Sequence, residues 1–141
     1  DKRKGLDTFI ELSKELDDQY QIVLIGLNKK QIEQLPNNII GISRTENVQE
    51  LVKWYSTADV YFNPTLEDNY PTTNLEAIAC GTPVVTFNTG GSPESAHKDN
   101  ITDKANYRNL VFNYRKEIKI LDVDAYNMAR KYLKVLCKVI K

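Results

Sequence analysis

Short, uniformly apolar runs alternate with amphipathic stretches along most of the chain, and this alternation restricts the fold more than any other feature. The clearest apolar runs cover residues 21–27, 60–62 and 84–87. Between them, apolar side chains recur at three- and four-residue steps over 6–17 and 48–58, which is the spacing of amphipathic helices. Strands that are apolar on both faces and alternate with helices indicate an open parallel sheet covered by helices on both faces. We therefore predict an α/β domain.

Short local signals mark the remaining elements and their ends. A short polar helix is expected over 29–34 and a weak strand over 38–42. Asn47 is placed to cap the helix that follows it, because its side-chain oxygen can accept a hydrogen bond from a first-turn N–H group. A helix of about two turns around 75–79 should end at Gly81, since glycine readily adopts the left-handed backbone found at helix ends.

The alternation weakens beyond about residue 95. Residues 96–107 are polar and carry little pattern, and 109–112 are predicted to be a strand. From Asp124 to Ile140 the apolar residues fall at helical spacing, which predicts one long helix. The chain also begins with a helix, whereas an alternating parallel sheet ordinarily begins with a strand. We therefore expect a strand upstream of Asp1; the alternative is a fold whose first element is a peripheral helix.

Composition narrows the class of protein. The chain has 141 residues, the size of one domain, and its 19 basic and 19 acidic side chains balance. This balance argues against binding to duplex nucleic acid, which ordinarily needs a basic excess. Two cysteines do not suffice for a disulfide framework or a zinc site. No uncharged apolar run approaches the ~20 residues of a membrane span, and we expect a cytoplasmic domain.

The loop after the third strand is the strongest candidate for a ligand site. It runs from Asn63 to Glu76, longer than the roughly 2–6 residues usual between a strand and a helix, and ligands of open α/β sheets bind beyond the carboxyl ends of strands. Glu76 has two compatible interpretations. With Thr73 it fits a capping box, in which each side chain binds a backbone N–H group. Alternatively, its carboxylate accepts hydrogen bonds from a sugar diol while the helix N-terminus holds an anion.

Other polar segments have a structural interpretation beside a functional one. Residues 90–94 form either a turn with Ser92 at a helix N-cap or a close approach of glycine backbone to a ligand. His97, the only histidine, is expected on the surface. Cys80 is expected to be a small core residue, and the lysines within 131–141 are expected on a solvated helix face.

Several segments together resemble a known family. The segments are Lys4-Gly5, Ala58 to Pro64, Glu67 to Pro71, Asn74 to Val85 and Gly90 to Glu94. Their combination resembles the donor-binding domain of family 4 glycosyltransferases, which have the two-domain GT-B fold. The resemblance spans residues 3–95. It implies that 1–141 form a single nucleotide-sugar-binding domain, the Rossmann-like carboxyl-terminal half of a GT-B enzyme, and that the amino-terminal acceptor domain and the first strand are absent from this sequence.

The resemblance also assigns roles to individual residues. In the family, two acidic residues separated by seven others handle the donor, and Asp68 and Glu76 have this separation. Glu76 is thereby expected to bind the ribose hydroxyls and Asp68 to lie next to the donor sugar, as the catalytic pair. Lys4 is expected to neutralise the diphosphate. The other expected donor-binding residues are Asn69, Tyr70, Pro71, Thr72 and Thr73 at the helix start, and Ser43, Arg44 and Thr45 near the base.

The function implied by the resemblance is sugar transfer from a nucleotide-diphosphate sugar, with retention of anomeric configuration, in polysaccharide biosynthesis. No cofactor and no metal are expected. The expected acceptor is a glycan or lipid-linked sugar bound by the missing domain, with peripheral contact at the inner face of the membrane and no nucleic acid. The isolated chain is expected to be inactive in transfer. Two alternatives stay open: a sugar-nucleotide epimerase of the same fold, and a non-catalytic flavodoxin-like binding module.

Overall fold

Helices and strands alternate in the part of the chain that the computed structural model describes, which is residues 5–16, 20–66, 72–89, 92–113 and 134–139. The helices are α1 (Leu6–Ser13), α2 (Lys29–Glu33), α3 (Val48–Thr57), α4 (Thr72–Ala79) and α5 (Tyr107–Asn113). The strands are β1 (Tyr20–Ile25), β2 (Ile39–Ile42), β3 (Val60–Asn63), β4 (Val84–Phe87), β5 (Ile101–Thr102) and β6 (Lys134–Val139). Short 3-10 helices cover Ser92–Ser95 and Lys98–Asn100.

The described strands form one six-stranded sheet in the order β2-β1-β6-β3-β4-β5, and every recorded pairing is parallel. Both faces of the sheet are buried along β1, β3 and β4. Along β1, Ile22 and Leu24 belong to one hydrophobic cluster, which includes Phe9 of α1, whereas the alternate residues of that strand belong to a second cluster, which includes Trp54 of α3. This confirms the predicted α/β architecture, with a Rossmann-like open parallel sheet between two layers of helices.

Two predicted helix ends are present in the structure. The Asn47 side chain accepts a hydrogen bond from the backbone N–H of Glu50 at 2.8 Å and so caps α3. At the other end of a helix, Gly81 has φ +76°, its N–H binds the carbonyl of Ile78 at 2.9 Å, and the N–H of the next residue binds the carbonyl of Ala77 at 3.0 Å. These two hydrogen bonds form a Schellman motif that ends α4.

The segment predicted as a strand over 109–112 is instead part of α5. Tyr107 and Val111, one helical turn apart, are both buried in the first hydrophobic cluster. Asp103 starts the turn into this helix, because its carboxylate accepts hydrogen bonds from two backbone N–H groups at 2.9 and 3.0 Å. The strand prediction was wrong because a short apolar run fits either period, and the helical partner Tyr107 lies outside it.

The long helix predicted from Asp124 to Ile140 is also wrong where the structure describes it. Residues 124–133 lie outside the described part, and Lys134–Val139 form β6. In β6, Cys137 is paired with Val23 of β1 on one side and Tyr61 of β3 on the other. A run rich in valine and leucine satisfies helical spacing and strand propensity alike, so backbone partners on both sides decide its conformation.

Candidate functional site

The candidate site lies at the carboxyl ends of the parallel strands. From β1 the chain proceeds to β2 in one direction, whereas β3, β4 and β5 follow one another in the opposite direction, with β6 between the two groups. Open α/β sheets bind ligands at such a reversal of strand order, outside the carboxyl ends. The segments after β2, β3 and β4 therefore meet at one edge of the sheet.

The start of α1 packs directly against the end of β3. Gly5 is the N-cap of α1 and has φ +82°. A Cβ atom at this position would lie 2.6 Å from Cγ of Pro64 and 2.6 Å from its carbonyl oxygen, so only glycine permits this approach. The contact places the N-terminus of α1 beside the loop that follows β3. Lys4, the preceding residue, lies outside the described part.

A buried amide pair ties the end of β3 to the first turn of α4. Nδ2 of Asn63 donates a hydrogen bond to Oδ1 of Asn74 at 2.8 Å, and both residues are fully buried. The carbonyl of Asn63 accepts a further hydrogen bond from Oγ1 of Thr86 on β4 at 3.2 Å. Buried polar groups of this kind are costly to leave unpaired, so the network fixes where α4 begins relative to the sheet.

Glu76 is held by a tyrosine of the neighbouring helix. The hydroxyl of Tyr55, on α3, donates a hydrogen bond to Oε2 of Glu76 at 2.8 Å. Tyr55 is 1% exposed, whereas Glu76 is partly exposed. The capping-box interpretation of Glu76 is wrong, because α4 begins at Thr72 and Thr73 therefore lies within the first turn rather than at the N-cap. The carboxylate is thus anchored from the buried side of the helix.

The predicted site residues fall into three groups. Thr72, Thr73 and Glu76 lie in the first two turns of α4, with Thr72 exposed and Thr73 buried. Ser43, Arg44 and Thr45 follow β2, three strand spacings of about 4.8 Å from β3, or roughly 14 Å away along the same edge. The rest lie outside the described residues; these are Lys4, Asp68, Asn69, Tyr70 and Pro71.

Two features of the site differ from what the sequence predicts. Tyr55 falls on the apolar face of α3, where its spacing indicates a core residue and gives no signal of a polar role. The amide pair was missed as well, although Asn63 ends an apolar strand immediately before a proline. A polar residue in such a position is a usable signal, since buried side-chain amides need partners.

His97 and Cys80, two of the secondary candidates, lie where the sequence places them. His97 is exposed, as expected, and its Nδ1 accepts a hydrogen bond from the backbone N–H of Asp99 at 3.3 Å. Cys80 is partly buried against the second hydrophobic cluster, which agrees with its expected place in the core. A 3-10 helix begins at Ser92, and Gly90 and Gly91 before it lie outside the described residues.

Metal-binding clusters and membrane-spanning helices are absent from the described ranges. There, no group of three or more His, Cys, Asp and Glu side chains is arranged to hold a metal ion. No helix in the same ranges combines the length and the apolar character needed to cross a bilayer. The expectations about cofactors and location stay predictions.

Comparison with known proteins adds a family match. The family model described as "Glycosyl transferases group 1" matches residues 1–114. Alpha-galactosylglucosyldiacylglycerol synthase of Streptococcus pneumoniae (strain ATCC BAA-255 / R6) is 34% identical over 97 residues, which cover 60% of this chain and 25% of that protein. D-inositol 3-phosphate glycosyltransferase of Corynebacterium jeikeium (strain K411) is 39% identical over 74 residues, covering 48% and 18%. Protein CapJ of Staphylococcus aureus is 29% identical over 79 residues, covering 52% and 20%. The matches thus span a quarter or less of each of these relatives.

Proposed function

Because the chain belongs to the group 1 glycosyl transferases, we propose that it is the donor-binding domain of a glycosyltransferase that uses a nucleotide-diphosphate sugar. The observation that carries the proposal is the position of Glu76. Its carboxylate lies near the start of α4, beyond the carboxyl end of β3, and the hydroxyl of Tyr55 holds it at 2.8 Å. A carboxylate fixed in this way is suited to accept the hydrogen bonds of a ribose diol.

The remaining parts of the donor are assigned along the same edge of the sheet. The N-terminus of α4 favours an anion through its first-turn N–H groups and helix dipole, and Lys4, next to Gly5, supplies a positive charge for the diphosphate. Asp68 lies next to the donor sugar in this proposal, and the backbone of residues 69–73 contacts sugar and diphosphate. The segment 43–45 binds the base, and its separation from β3 suits an extended nucleotide diphosphate.

The chemistry required of these residues is the stabilisation of the leaving diphosphate. Negative charge grows on that group as the bond to the sugar breaks, so a lysine and a helix N-terminus aimed at it lower the barrier. Asp68 and Glu76 position the donor while this happens. We propose that transfer retains the anomeric configuration and needs no metal ion.

The acceptor belongs to the part of the enzyme that this chain does not include. The chain spans a quarter or less of its relatives, and we propose that it forms the carboxyl-terminal half of a GT-B enzyme. One relative is named alpha-galactosylglucosyldiacylglycerol synthase, which supports a lipid-linked acceptor, and we propose that the enzyme meets it at the inner face of the membrane. The isolated chain should therefore bind the sugar donor without transferring sugar. Measurable transfer by the isolated chain would contradict the proposal that another part of the enzyme binds the acceptor.

A thermal-shift screen with UDP, GDP, ADP and their sugars tests donor binding. A ligand at 100 times its dissociation constant adds about 2.7 kcal/mol to the free energy of unfolding, so at least one nucleotide should raise the melting temperature clearly. Glu76→Gln should remove about half of that shift or more, whereas Glu11→Gln, a matched change of an exposed residue on α1, should not change it. A wild-type chain that responds to no nucleotide would overturn the proposal, and no observation favours the epimerase or the binding module.

A further inference from the structure

We propose that Tyr55 is a positioning residue for nucleotide recognition: its hydroxyl fixes the carboxylate of Glu76 in the orientation that binds the ribose. This inference rests on the proposed function, because it assigns a role within the same donor site. The hydrogen bond from Tyr55 to Oε2 of Glu76 is 2.8 Å long and joins α3 to α4. It comes from a residue that the sequence pattern places in the core rather than in the site.

Tyr55 is itself held firmly from two sides. Its ring packs against the ring of Tyr61, with centroids 5.5 Å apart and an angle of 60° between the ring planes. Its backbone carbonyl accepts a hydrogen bond from Oγ1 of Thr82, just beyond the end of α4. Tyr55 is 1% exposed. The hydroxyl therefore acts from a nearly fixed point of the core.

The contact with Tyr55 occupies one acceptor position of the Glu76 carboxylate. An ionised carboxylate has two oxygens and about four acceptor positions, and Tyr55 uses one of these on Oε2. The Tyr55 hydroxyl contacts Glu76 from the buried side of the helix. Glu76 itself is partly exposed and therefore accessible to a ligand. One hydrogen bond on a known oxygen restricts the rotation of the carboxylate and sets which acceptor positions a ligand meets.

Such restriction increases affinity by lowering the entropy cost of binding. A free glutamate side chain loses rotamer freedom when a ligand fixes it, and a side chain that is already fixed loses less. Tyr55→Phe keeps the ring and its packing but removes the hydroxyl. Fixing one rotamer-rich side chain on binding corresponds to a change of roughly 3- to 10-fold in the dissociation constant.

The experiment separates positioning from a merely structural tie between α3 and α4. Dissociation constants are measured for UDP, GDP and ADP, and for the 2′,3′-dideoxy form of each, with the wild-type chain and with Tyr55→Phe, Tyr61→Phe and Glu76→Gln. Tyr61→Phe is the matched control, since it removes a hydroxyl from the same ring pair. Thermal unfolding of each variant verifies that it is folded.

If Tyr55 positions Glu76, Tyr55→Phe weakens binding of the normal nucleotide roughly 3- to 10-fold and leaves the dideoxy affinity unchanged. Tyr61→Phe keeps the wild-type preference for the normal nucleotide. The inference is overturned if Tyr55→Phe weakens both ligands equally or neither, while Glu76→Gln still loses the preference. A different pattern overturns the proposed function and the inference with it: the wild type binds no nucleotide, or Glu76→Gln binds both ligands as the wild type does.

Discussion

Single buried side chains fix the geometry of the site, and the amide pair of Asn63 and Asn74 is the clearest case. Asn74→Ala removes the oxygen that accepts the Asn63 amide at 2.8 Å in a fully buried setting. We expect the free energy of unfolding to fall by about 1–3 kcal/mol, the cost of leaving a buried polar group without that acceptor. Urea denaturation measures the change, with the exposed Asn88→Ala as control. Equal midpoints for Asn74→Ala and wild type would show that the pair does not stabilise the fold.

A second residue-scale prediction concerns the pH dependence of stability. The hydroxyl of Tyr107 is buried and has no hydrogen-bond partner among the residues that the structure describes. Burial raises the pKa of Tyr107 above its ordinary value; the nearby Arg108 opposes this, and Glu15 and Glu11 reinforce it. The unfolded chain therefore ionises this tyrosine at a lower pH than the folded chain does, near its ordinary pKa of about 10. Its contribution to stability is present below that pH and is lost as the pH rises above it.

Tyr107→Phe should remove this alkaline loss. At neutral pH the variant should be at least as stable as the wild type, because no described partner of the hydroxyl is forfeited. Urea denaturation of both chains at pH 7 and above pH 10 tests this. If the stabilities of both chains fall equally on going to high pH, ionisation of Tyr107 is not coupled to unfolding.

At the scale of single elements, two glycines with positive φ allow a matched comparison. Gly81 ends α4 with φ +76°, and a Cβ there would have nothing within 4 Å, so Gly81→Ala costs only backbone strain of about 1 kcal/mol. Gly5→Ala carries similar strain at φ +82° and also places a methyl group 2.6 Å from Pro64. We expect Gly5→Ala to lower the melting temperature further than Gly81→Ala and also to weaken nucleotide binding, because α1 must move away from β3. Equal effects of the two substitutions on both measurements would contradict the close approach.

Helix ends show which structural features a local sequence pattern can predict. The cap at Asn47 and the Schellman motif at Gly81 could be predicted, because each depends on a few neighbouring residues and a backbone preference. The capping box predicted at Thr73 is wrong, since the same residue pattern here starts one residue inside a helix that begins at Thr72. There, the carboxylate of Glu76 binds Tyr55, which is remote in sequence. A contact between α3 and α4 therefore determines the partner of the Glu76 side chain, and the local sequence pattern does not specify that contact.

At the scale of the whole molecule, the parallel sheet could be predicted, whereas the strand at its centre could not. Apolar strands between helices imply parallel pairing, and the carboxyl ends of β2 and β3 then share one edge. The position of β6 between β1 and β3 depends on pairing across most of the chain length. Periodicity within the segment carries no information about such partners, so the tail was predicted as a helix.

The strand conformation of β6 is directly testable in solution. Nuclear magnetic resonance should give strand-type chemical shifts for residues 134–139, with backbone contacts from Cys137 to both Val23 and Tyr61, as the pairing requires. Helical shifts over these residues would contradict the observed sheet order. Residues 84–87 of β4 provide an internal reference, since both the sequence and the structure assign them to a strand.

The central claim is that this edge of the sheet binds a nucleotide-diphosphate sugar through Glu76, and titration calorimetry tests it most directly. The wild-type chain and Glu76→Gln are titrated with UDP, GDP and ADP and with their sugars. The claim predicts saturable binding of at least one of these ligands, weakened at least roughly tenfold in Glu76→Gln, because a hydrogen bond to a charged group contributes about 1.5–3 kcal/mol. It is contradicted if no ligand binds, or if the dissociation constant is the same in both chains.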